Sequence, residues 1–126
     1  MNVLRLTIVA GTVFGSVALA QVANPYNGTW TIKFDGAARV NLEGTVVVKD
    51  DGGSYKVLAQ SKNNPCVGRE APLNVKSATA DELVFEVTRS KVLSGCEDYT
   101  LRFKRVDDKT LQGSLADGRK ITLTRE

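Results

Sequence analysis

Large apolar residues alternate with polar residues along most of the chain after position 27, and this period of two is typical of β-strands with one buried face. The first such run follows the turn dipeptide Asn27-Gly28 and places Trp30, Ile32 and Phe34 on one face, with threonine and lysine on the other. The pattern therefore predicts a first strand that directs the only tryptophan of the chain into a core.

Seven further runs with the same alternation follow, separated by turn residues. We predict these strands at Ala38–Lys49, Ser54–Gln60, Leu73–Lys76, Leu83–Thr88, Tyr99–Lys104, Leu111–Leu115 and Ile121–Leu123. Gly44 lies in the middle of the longest run, which favours a β-bulge or a sharp bend there. The dipeptide Asp117-Gly118 is typical of a two-residue hairpin turn between the last two strands.

These runs indicate an all-β protein of about eight antiparallel strands. We expect a small meander barrel, because eight strands can just close around their own side chains and closure removes exposed strand edges. A two-sheet β-sandwich is the alternative. The aromatic residues predicted for the core are Trp30, Phe34, Phe85, Tyr99 and Phe103.

The first twenty residues have the pattern of a cleaved secretory signal peptide. Arg5 precedes an uncharged run from Leu6 to Leu19, and Ala18-Leu19-Ala20 fits the small-x-small rule of signal peptidase. The run is shorter than the about 20 apolar residues of a membrane span, and glycines interrupt it. We therefore predict a single domain over residues 21–126, without a membrane span, that the Sec pathway exports to the periplasm or the exterior.

Cys66 and Cys96 are the only cysteines of the chain. In an exported protein two cysteines are typical of a structural disulfide, and this one would close a loop of about 30 residues, worth roughly 3 to 4 kcal/mol. A redox pair is normally spaced two residues apart, and a metal site needs further ligands. Because the chain also has no histidine, we predict a disulfide and no bound metal.

Composition argues against several functions. The net charge of +3 is too balanced for a nucleic-acid binder, which usually carries a clustered basic stripe. No histidine is present for a catalytic triad or for imidazole acid–base chemistry. The acidic residues fall largely in turns, where solvation explains them, and no cofactor-binding motif occurs. We therefore expect no nucleic-acid partner, no cofactor and no enzymatic activity.

Gly28-Thr29-Trp30 at the head of the first strand resembles the Gly-x-Trp signature of the lipocalin-like, or calycin, barrels. The resemblance implies that the tryptophan plugs one barrel end and that a basic residue of the last strand, here Arg125 or Lys120, packs across it. In length and cysteine count the chain is similar to the periplasmic inhibitors of bacterial metalloproteases, which block the protease with their N-terminal segment. More broadly, it resembles small uncharacterised exported proteins of Gram-negative bacteria.

Two segments are predicted to bind a partner. One is the N-terminal lead with Val22, Pro25 and Tyr26, and the other is the long irregular segment after the third strand, with Arg69 and Glu70. We expect a monomeric domain that binds a protein of unknown identity, with protease inhibition as the specific hypothesis. The alternatives are a carrier of a small apolar ligand in the barrel and an envelope or surface protein without a single partner.

Overall fold

A computed structural model of the chain describes residues 23–35, 42–57 and 65–126. The strands are β1 (Gly28–Phe34), β2 (Leu42–Lys49), β3 (Gly52–Val57), β4 (Ala71–Ala78), β5 (Glu82–Val87), β6 (Tyr99–Asp107), β7 (Thr110–Ser114) and β8 (Lys120–Arg125), with a short 3-10 helix at Arg89–Lys91. In these ranges no helix has the length and hydropathy needed to cross a membrane. The predicted signal peptide, Val22, the start of the predicted second strand and the end of the third lie outside the described residues.

The eight strands form a closed antiparallel barrel in which each strand pairs with the next. Closure comes from the pairing of β1 with β8, where Trp30 lies opposite Arg125 and Phe34 lies opposite Ile121. The predicted meander barrel is thus confirmed, and the sandwich alternative is wrong. Because β1 and β8 satisfy each other's backbone groups, neither strand is left as an exposed edge.

The barrel interior is packed with apolar side chains. Trp30, Phe85 and Phe103 are fully buried, as predicted, and the last two rings stack with centroids 5.6 Å apart. The aliphatic residues without solvent exposure are Ile32, Val46, Leu83, Val87, Leu111, Ile121 and Leu123. Phe34 is 9% exposed and Tyr99 is half-buried. Both lie at the same end of the barrel, which we call the Phe34 end, opposite the Trp30 end.

Gly44 does not form the predicted bulge, and the close approach of a neighbouring strand is the observed requirement for glycine here. Its pairing runs without a shift, opposite Ile32 on β1 and opposite Val57 on β3. A Cβ atom at this position would come within 2.3 Å of the Lys56 carbonyl oxygen. The register shifts instead between Val75 and Ser77 on β4 and between Arg105 and Asp107 on β6.

Strand β4 begins earlier than predicted and includes Pro72. The Pro72 carbonyl accepts a hydrogen bond from the backbone N–H of Thr88 at 3.0 Å. The proline therefore joins the sheet through its acceptor, although it cannot donate.

The turn between β7 and β8 has three residues rather than the predicted two. Leu115 N–H donates to the Arg119 carbonyl at 2.8 Å, and Gly118 takes a positive φ of 92°. A type I turn followed by a left-handed residue is the usual form of such loops. Leu115, predicted to end the seventh strand, directly follows β7 and pairs with Arg119 to close this turn.

Val84 alternates with the inward Leu83 and Phe85 and so lies on the outer face of the barrel, yet it is only 4% exposed. Its neighbours two positions away on β5 are Glu82 and Glu86. These carboxylates form ion pairs with Arg102, at 2.8 Å, and with Lys76, at 3.6 Å. Val84 lies directly opposite Arg102 on β6, and the long stem of an arginine can cover apolar area of this kind.

The predicted disulfide between Cys66 and Cys96 is confirmed, with a Cα–Cα distance of 5.7 Å. It joins the turn that precedes β4 to the irregular segment that precedes β6. Both segments lie at the Phe34 end, since the short turns after β2, β4 and β6 all lie at the Trp30 end. The covalent link therefore braces the end of the barrel that carries the longer connections.

Candidate ligand cavity at the Phe34 end

The Trp30 end of the barrel is sealed by an arginine. The Arg125 guanidinium lies over the Trp30 ring, 4.3 Å from its centroid. It donates hydrogen bonds to the carbonyl oxygens of Asn27 at 2.7 Å, Pro25 at 2.9 Å and Asp108 at 3.2 Å. Of the two basic residues considered, Arg125 therefore packs across the tryptophan, whereas Lys120 lies at the other end of β8.

Tyr26 was predicted to bind a partner, but its side chain is part of this seal and is not available for binding. The residue is 2% exposed, and its hydroxyl donates to the Thr79 carbonyl. Its own carbonyl accepts the Trp30 indole N–H at 2.9 Å. Burial, the largest influence, raises the pKa of the Tyr26 hydroxyl. Pro25 is exposed, but its carbonyl is bound to Arg125.

A cavity of about 260 Å³ lies at the Phe34 end, and we call it the mouth cavity. Its described lining residues are Phe34, Tyr55, Val57, Cys66, Val67, Gly68, Arg69, Arg89, Tyr99 and Leu115. Aromatic and aliphatic side chains form most of this lining, and the disulfide forms part of one wall. Such a concave, largely apolar space with a few polar groups is typical of small-molecule binding sites.

Two arginines of the lining are held by backbone carbonyls. Arg69 Nε donates to the Pro65 carbonyl at 2.8 Å, within the turn that carries Cys66. Arg89 Nε donates to the Glu97 carbonyl at 3.1 Å, next to Cys96. The Arg89 guanidinium also lies over the Tyr99 ring, 4.9 Å from its centroid. The disulfide thus positions both arginines, because it joins the two segments that hold them.

Two tyrosines form the opposite part of the lining. The rings of Tyr55 and Tyr99 meet edge to face with centroids 6.0 Å apart. Burial raises the pKa of both hydroxyls, chiefly by desolvation. Both therefore stay neutral near pH 7 and serve as hydrogen-bonding groups of the cavity.

Asp98, an acidic residue whose charge interacts with Arg89, is engaged by Ser90. Asp98 accepts hydrogen bonds at 2.8 Å from the backbone N–H and from the hydroxyl of Ser90. These bonds are the main reason why the pKa of Asp98 lies below its usual value. Within the described residues, no carboxylate lies at ion-pair distance from Arg69 or Arg89.

The structure separates the two predicted binding segments. Pro25 and Tyr26 lie at the Trp30 end, whereas Arg69 and Glu70 lie at the Phe34 end, and Val22 falls outside the described residues. Arg69 and Glu70 are exposed, and Arg69 lines the mouth cavity.

Of the described residues that line this cavity, the sequence predicted only Arg69 as a binding residue, and it gave no such role to Tyr55, Arg89 or Leu115. Arg89 could have been identified because it lies close to Cys96 in the sequence, and a disulfide brings together the segments that flank its two cysteines.

The lining is suited to reversible binding. It holds apolar walls, phenolic hydroxyls and guanidinium N–H donors, and its cysteine is bonded in the disulfide. Among the residues that the structure describes, no group of three or more His, Cys, Asp or Glu side chains is placed to hold a metal ion.

Comparison of the chain with protein-family models, with curated proteins and with solved structures finds no match. A barrel of this kind supports many unrelated functions, so function has to be inferred from the site.

Proposed function

We propose that the protein is an exported, non-enzymatic binding domain that holds a small, largely apolar molecule in the mouth cavity. The observation that carries this proposal is the lining of the mouth cavity, in which apolar and aromatic walls surround two tyrosine hydroxyls and two arginines. A larger depression of about 580 Å³ lies at the Trp30 end, but the polar groups of Tyr26 and Arg125 in its lining already bind backbone carbonyls. The cavity of about 260 Å³ at the other end is braced by the disulfide, and the terminal N–H groups of its two arginines have no hydrogen-bond partner among the described residues.

The cavity volume limits the ligand to a small one. Cavities for drug-sized ligands begin at roughly 300 Å³, so a single aromatic ring or a short acyl chain is the appropriate size. Six buried methylene groups would supply about 5 kcal/mol before the cost of immobilising the ligand. We therefore expect a dissociation constant weaker than about 1 μM for a purely apolar ligand.

Export is supported by the first twenty residues and by the disulfide. Disulfide bonds form and persist mainly in oxidising compartments, such as the periplasm and the cell exterior. The ligand of this domain would accordingly be a molecule that is present in the envelope or in the surrounding medium.

A titration with 1-octanol followed by NMR tests the proposal. We expect saturable shifts of the resonances of Tyr55, Val57 and Leu115, while the Trp30 indole resonance stays in place. Leu115→Trp should abolish binding by filling the cavity. Val106→Trp is the matched control, because Val106 is 56% exposed and lies outside the mouth cavity. Absence of saturable shifts, or equal loss of binding in both variants at unchanged stability, would contradict the proposal.

Protein binding, with protease inhibition as its specific form, is the second candidate function. It is favoured by the exposure of Arg69 and Glu70 on a turn that the disulfide and the Arg69–Pro65 hydrogen bond hold rigid. A rigid loop loses little entropy when it binds. A partner that contacts only this exposed turn should still bind the Leu115→Trp variant, whereas a cavity ligand should not.

A further inference from the structure

We infer that the mouth cavity selects small amphiphiles with an anionic head group, a carboxylate in particular, which Arg69 and Arg89 bind while the apolar tail enters the cavity. This inference rests on the proposed function, because it names the class of ligand that the same cavity takes.

The first support is a difference in the bonding partners of the described arginines. Arg102, Arg105 and Arg119 form ion pairs with Glu82, Asp108 and Asp117. Arg125 binds three carbonyl oxygens and the face of Trp30.

Arg69 and Arg89 differ from these four residues. Within the described ranges each has a hydrogen bond from Nε to one carbonyl, and neither has a carboxylate at ion-pair distance. They are also the two arginines that line the mouth cavity. Two guanidinium groups without a carboxylate partner therefore converge on one apolar space.

The second support is the fixed position of the two guanidinium groups. Arg89 is held from one side by the Tyr99 ring and from another by the Glu97 carbonyl. Arg69 is held by the Pro65 carbonyl. In both residues this bond uses Nε, and the terminal N–H groups remain for a ligand. A planar fork of N–H donors matches the two oxygens of a carboxylate.

The third support is the nature of the surrounding polar groups. The Tyr55 and Tyr99 hydroxyls both belong to residues of the lining, and a neutral hydroxyl can donate its O–H to an anion. The described lining contains no carboxylate, so a cationic head group would find like charge and no anionic acceptor. Hydrogen bonds between ionised partners are also stronger beside apolar walls than in water.

Three probes with the same tail and different head groups test the inference, namely octanoate, 1-octanol and octylammonium. We expect octanoate to bind at least about tenfold more tightly than 1-octanol, because hydrogen bonds to a charged group contribute about 1.5–3 kcal/mol. Octylammonium should bind more weakly than 1-octanol. Added salt should weaken the binding of octanoate and leave that of 1-octanol unchanged.

Variants assign the effect to the two arginines. Arg69→Gln with Arg89→Gln should lower octanoate affinity about tenfold or more and leave 1-octanol affinity unchanged, which also shows that the cavity is intact. Arg102→Gln is the matched control, since Arg102 lies on the outer face of the barrel.

The outcomes separate the two proposals. If no probe binds, the proposed function is wrong and the inference falls with it. If 1-octanol binds as tightly as octanoate, the cavity is a binding site without anion selectivity. If the double variant binds both probes as the wild type does, Arg69 and Arg89 do not supply the selectivity. In either case the inference alone is overturned.

Discussion

Arg125 is the residue that joins the largest number of separate segments at the Trp30 end. Its guanidinium binds carbonyl oxygens of Pro25, Asn27 and Asp108, which belong to the N-terminal lead and to the turn between β6 and β7. Its planar face also covers Trp30. A lysine could supply the charge but not three donors in these directions together with a flat face.

We expect Arg125→Lys and Arg125→Ala each to lower the free energy of unfolding by about 2 kcal/mol or more, through loss of the cation–π contact and of charge-assisted hydrogen bonds. Urea unfolding followed by the fluorescence of Trp30 would measure the change. Lys120→Ala is the control, because Lys120 is an exposed basic residue of the same strand. Equal stability of the Arg125 and Lys120 variants would contradict this role.

At the scale of elements, the close approach of β2 to β3 depends on Gly44. A Cβ atom there would lie 2.3 Å from the Lys56 carbonyl oxygen and 2.8 Å from the Val57 Cα, and both are backbone atoms that cannot move away alone. At Gly52, on the partner strand, the nearest atom would be the Leu73 carbonyl oxygen at 3.6 Å. The first glycine is thus required by contact between strands, whereas the second has room for a methyl group.

We expect Gly44→Ala to lower the free energy of unfolding by about 1–3 kcal/mol, because the two strands must separate to admit the methyl group. Gly52→Ala should change it by less than about 1 kcal/mol, since alanine fits and restricts the unfolded chain. Chemical denaturation of both variants would measure the difference. If both substitutions are tolerated equally, the sheet adapts at Gly44 and the explanation fails.

The whole molecule is polarised along the barrel axis. Short hairpin turns and the Trp30–Arg125 contact lie at one end, and the disulfide, the longer connections and the mouth cavity lie at the other. The packed interior between them separates the two ends. Stability of the closed end and binding at the mouth cavity should therefore respond to different substitutions.

Removal of the disulfide tests this separation. We expect Cys66→Ala with Cys96→Ala to lower the free energy of unfolding by roughly 3 to 4 kcal/mol, the value for a closed loop of about 30 residues. The same variant should bind octanoate more weakly under conditions in which it is folded, because the segments that carry Arg69 and Arg89 are no longer linked. Arg125→Lys provides the comparison, since it should lose stability but retain affinity. Unchanged octanoate affinity without the disulfide would show that the segments are positioned by other contacts.

The cavity could be predicted only in part. Arg69 and Glu70 were identifiable because a long irregular segment next to a cysteine is unusual in a small domain. Tyr55 was identifiable as an inward residue of a strand, but nothing in its neighbourhood indicated that it faces a cavity instead of packed core. Arg89 and Leu115 join the cavity from connections that are distant in sequence, so no local pattern could place them there.

The sequence by itself determined the strands, their buried faces and the disulfide. Alternation of apolar and polar residues decides which side of a strand is buried, and two cysteines in a chain of this type have one pairing. Closure of the barrel, the choice of Arg125 over Lys120, the burial of Tyr26 and the requirement for Gly44 were decided only by the tertiary structure. The physical reason is that alternation sets the face of a side chain but not its depth along the barrel. That depth depends on the register between strands, above all between β1 and β8 at opposite ends of the chain.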